Sequence, residues 1–127
     1  MLATTALLMA ACSGPLTVGG VSILRYGPQA GRPTALATGT LRIEEGCTTI
    51  DFGEPTPSMI LWPPGTSLTI VEGRVHVVSD GVTAADGDPI SLGGGQYDDQ
   101  AFVESLVGPV GPCRADLYWL GYDLRRE

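Results

Sequence analysis

His76 is the one histidine of the chain, and histidine is the side chain best suited to general-base work near neutral pH. It stands between Val75 and Val77 in an alternating run, so the valines are expected to point inward and the imidazole to solvent. No serine sits in a G-x-S-x-G setting, and no spacing places a carboxylate beside His76. Asp80, Asp86 and Asp88 offer a second chemistry, because Ca²⁺ takes oxygen ligands. Their spacing is not that of an EF-hand loop, and Asp-Gly pairs are what tight turns use. Gly93-Gly94-Gly95 would suit a phosphate cradle, but a P-loop continues with Lys-Ser/Thr, and here Gln96-Tyr97 follows. The glycine run reads instead as a turn or a strand end. Glu44, Glu45, Asp51 and Glu54 read as the wet face of a hairpin rather than an acid/base pair. The expectation is a protein with no catalytic residue, no metal and no cofactor. A small hydrolase, with His76 in a cleft beside an acid and a nucleophile, is the alternative; a purely structural role is a third.

Recognition is left to the aromatic residues. Trp62, Tyr97, Tyr118 and Tyr122 are the candidate ligand-contact side chains, set against the plainer reading that they fill the core. The charge balance narrows the partner. Fourteen acids face seven arginines and no lysine, for a net charge of −7, and only Arg125-Arg126 forms a cationic pair. Binding to a phosphate backbone needs clustered cations. Nucleic acid is therefore excluded, and a protein, peptide or glycan ligand is expected.

The first eleven residues, MLATTALLMAA, carry no charge and are followed by Cys12-Ser13-Gly14. Leu8-Met9-Ala10-Ala11-Cys12 resembles the lipobox of bacterial lipoproteins, small residues before an obligatory cysteine. Met9 stands where leucine is usual, and a basic leader is lacking. The resemblance implies export, removal of residues 1–11, a lipid on the Cys12 sulfur, and anchoring to the extracytoplasmic face of a bacterial membrane. Eleven apolar residues are too few to cross a bilayer, which takes about 20. If Cys12 carries lipid, Cys47 and Cys113 remain, and in an oxidising compartment they can pair. Two reduced thiols are the alternative; zinc is disfavoured by the lone histidine and the lack of a C-x-x-C spacing.

The elements that must position these residues are short and turn-dense. Eighteen glycines and ten prolines among 127 residues point to many turns between brief strands. Residues 34–45 alternate, with Leu41 and Ile43 on one face and Gly39 marking a corner. Glu45-Gly46 turns the chain into 47–52. Met59-Ile60-Leu61-Trp62 is apolar without a break, as in a strand covered on both sides, and Pro63-Pro64-Gly65 stops it. Further strands are expected at 68–71, 74–79 and 90–92. A short helix should follow, capped by Asp98 or Asp99, with Phe102, Val103 and Leu106 as its apolar stripe and Gly108-Pro109 as its stop. Residues 117–124 form the final strand. The sum is a mainly β domain: a five- or six-stranded, partly open barrel resembling the OB type in architecture, with one short helix before the last strand. A β-sandwich is the alternative. The organisation expected is a signal peptide (1–11), a lipid-anchored tether (12–32) and the barrel domain (33–127).

Overall fold

The computed structural model describes residues 13–127, so the signal-like segment and Cys12 lie outside the described residues. Ten strands follow in order: β1 (Leu16–Val18), β2 (Val21–Arg25), β3 (Ala35–Glu44), β4 (Cys47–Asp51), β5 (Ser58–Trp62), β6 (Ser67–Val71), β7 (Arg74–Ser79), β8 (Val82–Ala84), β9 (Pro89–Tyr97) and β10 (Tyr118–Arg126). Helix α1 (Gln100–Val107) and a single 3₁₀ turn at Gly111–Cys113 lie between β9 and β10.

Four hairpins fold on the same chemistry. Gly19-Gly20, Glu45-Gly46, Glu72-Gly73 and Asp80-Gly81 all have positive φ at both positions, and each joins strands paired up to the flanking residues. Two left-handed residues make a type I′ turn, whose twist matches that of the strands it joins. The second residue is glycine every time because only glycine takes that conformation without steric cost.

Five strands close a ring. β3 pairs with β4, β4 with β5, β5 with β10, β10 with β9, and β9 with β3. A ring with an odd number of strands cannot alternate direction throughout, and the one parallel seam is β5–β10, where Tyr118, Trp119 and Leu120 face Met59, Ile60 and Leu61. In chain order the five run first-second-third-fifth-fourth and back to the first, the connectivity of an OB-type barrel. The ring closes completely; its narrowest seam is β4–β5, two residue pairs long. Beyond that seam the same edge of β5 passes to β2, with Leu24 opposite Leu61 and Arg25 opposite Trp62. β6, β7 and β8 form a separate three-stranded sheet whose Leu68, Val77 and Ala84 join the barrel core.

The segment expected to be a tether is thus partly structure. Its apolar residues 21–26 alternate between two covered surfaces, so Ile23, Leu24 and Tyr26 are buried rather than wet. Residues 28–32 stay on the surface or partly so.

Two cores result. Ile60, Trp62, Leu41, Ile50, Ile90, Leu92 and Trp119 fill the barrel. Met59, Leu61, Tyr118 and Leu120 point outward on the same two strands and are covered by Leu24, Tyr26, Val103, Val107, Val110 and the two cysteines. The helix is capped by Asp99, whose Oδ1 accepts the Phe102 amide at 3.1 Å. Its buried stripe is Val103 and Val107, with Leu106 at the margin. Phe102 does not belong to that stripe: it is 43% exposed and leans on Tyr97, because it lies on the flank of the helix away from β5.

The triple glycine runs through the middle of β9 instead of ending it. Gly94 has φ 147°, and a Cβ there would lie 1.7 Å from the Leu120 carbonyl oxygen. A Cβ on Gly95 would meet Pro33 at 2.7 Å. Bare backbone lets β10 and residues 32–34 close on both faces of the strand. Gly94→Ala is expected to cost more than about 3 kcal/mol, seen as a lowered urea midpoint. Gly31→Ala, at a position with open space around it, should stay within about 0.5 kcal/mol.

Burial has one titratable consequence. Tyr26 is 6% exposed and its hydroxyl donates to the Gly121 carbonyl at 2.9 Å. Desolvation by burial pushes its pKa up from 10.0 to about 12, with Arg32 opposing. The folded chain holds this proton longer than the unfolded one. The stabilisation is whole below pH 10 and is lost as pH rises through about 12. Urea titrations of the wild type and Tyr26→Phe should show a steeper alkaline loss in the wild type.

Candidate functional site

The Cys47–Cys113 disulfide forms, with an S–S distance of 2.08 Å and Cα atoms 5.6 Å apart. Cys47 opens β4, one residue after the Glu45-Gly46 turn. Cys113 ends the 3₁₀ turn that follows α1. The bond therefore joins the first hairpin of the barrel to the long connection between its last two strands. Both sulfurs belong to the outer core, beside Met59 and Leu61.

Directly over this bond lies a groove of about 170 Å³ on the outer face of β4 and β5. Glu44, Glu45, Cys47 and Thr49 make one wall; Pro112 and Arg114 make the other; Pro57 and Met59 lie between them. The lining holds two carboxylates, one guanidinium and the apolar side chains of Pro57, Met59 and Pro112. The walls are 63 or more residues apart in sequence, yet they are held by a covalent bond beneath them. A groove held in this way is preorganised, and preorganisation reduces the ordering cost of any binding. A second depression, about 330 Å³, lies on the barrel wall among Leu36, Ser91, Gly93, Asp123, Arg125 and Glu127. It is larger, and no disulfide lies among its lining residues.

The aromatic candidates are not gathered at either place. Trp62 is fully buried in the barrel, its Nε1 donating to Thr48 Oγ1 at 2.9 Å. Tyr118 is also fully buried: its hydroxyl donates to Gln100 Oε1 at 2.6 Å and accepts the Ala115 amide at 2.9 Å. Neither can touch a ligand, because β5 and β10 are covered on both faces and each ring fills one of the two cores. Tyr97 is half-buried against Phe102, with ring centroids 5.2 Å apart. Tyr122 is a clasp. Its ring comes within 2.9 Å of where a Cβ of Gly93 would be, Arg32 Cζ sits 4.0 Å above the ring centroid, and its hydroxyl donates to the Pro33 carbonyl.

The three aspartates do separate structural tasks. Asp86 Oδ1 accepts the Ile43 amide, and Asp88 Oδ2 accepts the Ala85 amide, both at 2.8 Å. Asp80 Oδ2 accepts the Asp123 amide at 3.3 Å. Among the described residues no group of three His, Cys, Asp or Glu side chains is placed to hold a metal ion. His76 is half-buried, with Nδ1 3.1 Å from the Arg74 carbonyl of its own strand.

Ring order, outer core and disulfide-walled groove together define a small crosslinked β-barrel. Compared with protein-family models, with curated proteins and with solved structures, the chain matches none. Arg114, Thr49 and Met59 were not singled out from sequence as contact residues. The available signal was adjacency: they flank, or pack on, the two cysteines that can pair.

The bond closes a separation of 66 residues, which in the chain-entropy account contributes about 4 kcal/mol. Cys47→Ala/Cys113→Ala should lower the urea midpoint by a corresponding amount. Intact mass before and after reduction and alkylation checks that the wild type carries the bond; two thiols alkylated without reductant would refute it.

Proposed function

We propose that this chain is an exported, lipid-anchored binding module without catalytic activity, and that it takes its ligand in the groove over the disulfide. The observation that carries the reading is the pair of groove walls crosslinked by Cys47 and Cys113. A bond of this kind persists in an oxidising compartment, and the lipobox-like residues before Cys12 supply a route there. No helix among the described residues is long and apolar enough to cross a membrane; in this reading the lipid on Cys12 is the anchor.

Groove size and lining favour a protein or peptide ligand. Pockets that enclose whole metabolites run from about 300 Å³ upward, and this one holds about 170 Å³. That is room for one anchoring side chain. The lining has no aromatic ring, so there is no stacking platform for a base or for the flat face of a sugar. Acids on one wall and an arginine on the other suit a segment with a polar backbone and a charge on either side.

Two measurements test this. Metabolic labelling with a lipid precursor should mark the wild type and not Cys12→Ser; absence of label in both would end the lipoprotein reading. A photo-crosslinker at Thr49, in intact membranes, should capture a discrete partner, and Arg114→Glu should abolish the product. A crosslinker at Asp98, exposed just before the helix cap, should capture nothing comparable. Equal products at both positions, insensitive to Arg114, would refute the groove.

A further inference from the structure

Arg25 is 5% exposed. A guanidinium keeps its charge and has five donors, so burying it requires that acceptors be brought to it. Its Nε donates to the Gly14 carbonyl at 2.9 Å, Nη1 to the Thr66 carbonyl at 3.1 Å and Nη2 to the Ser13 carbonyl at 3.3 Å. The Gly14 amide donates back to the Arg25 carbonyl at 2.9 Å. Ser13 and Gly14 are therefore part of the folded body, tied to the end of β2 and to the turn at 63–66.

Resting on the lipid-anchor reading above, we infer that the barrel has no spacer and sits directly on the lipid surface, with the turn at 63–66 toward the headgroups. One extended residue spans about 3.5 Å, and the lipid-bearing residue is the immediate neighbour of a clamped one. A free tether of about 20 residues would let the domain wander roughly 25 Å. The same edge carries acid. Ser79 Oγ meets Thr66 Oγ1 at 2.9 Å, and the next residue, Asp80, accepts the Asp123 amide. An anionic bilayer repels such an edge, so the covalent anchor, not charge, holds it there. The Glu72-Gly73 turn lies at the far end of β6, with five residues at about 3.3 Å each between.

The test uses the full-length lipidated protein in vesicles whose headgroups bear a fluorescence quencher. A fluorophore is placed on Pro64→Cys or on Glu72→Cys, both at exposed turns, and mass spectrometry first verifies the acyl group. Quenching is expected at 64 and not at 72. A Gly/Ser insertion of about twelve residues after Cys12, outside the bonds that Ser13 and Gly14 make with Arg25, should abolish quenching at 64. Arg25→Met should weaken it if the variant folds. An acylated protein quenched equally at both sites, or at neither, overturns the inference and leaves the anchor standing. Absence of the acyl group overturns both.

Discussion

β5 is covered on both faces and paired on both edges, and most of the molecule exists to do this. Its five residues, Ser58–Trp62, are all buried. Met59 and Leu61 cannot be left in water, because each large apolar side chain contributes about 1.5–3 kcal/mol when buried. A barrel alone covers only the inner face. The outer face needs β2, α1 and the 3₁₀ turn, and those elements make the second core. The strand thus forces the chain to build a layer outside its own barrel.

That outer layer is thin. Helix α1 has eight residues, and helices this short are marginal in water without tertiary support. Val103 and Val107 supply part of that support, and the disulfide supplies the rest by fastening the segment after the helix to β4. The groove follows from this fastening. Its walls belong to elements far apart in sequence, and it keeps its shape because the crosslink sits under its floor.

The opposite end of β5 shows a different way to hold a chain. There a buried arginine gathers carbonyls from Ser13, Gly14 and Thr66, and outside the barrel Tyr122 and Arg32 pin residues 32–33 over the bare backbone of Gly93 and Gly95. Both fix segments with little apolar surface of their own. Glycine makes the second possible: without Cβ atoms, β9 can be approached closely on its outer side.

Local rules carried much of the architecture. Positive φ at glycine placed the hairpins, alternation identified β3, β4 and β7, and the unbroken apolar run of β5 announced a strand covered twice. Asp98-Asp99 and Gly108-Pro109 marked the ends of the helix, and the fold put the cap at Asp99. These are short-range effects, decided within a few residues. What the chain alone could not decide was which apolar surface meets which. Leu24, Val103 and Cys113 are equally apolar in any arrangement, and only their meeting on the outer face of β5 makes a second core. Trp62 and Tyr118 became core residues, and Gly93-Gly94-Gly95 became strand, for the same reason. Exposure belongs to a pair of packed surfaces, and the partner surface lies tens of residues away along the chain.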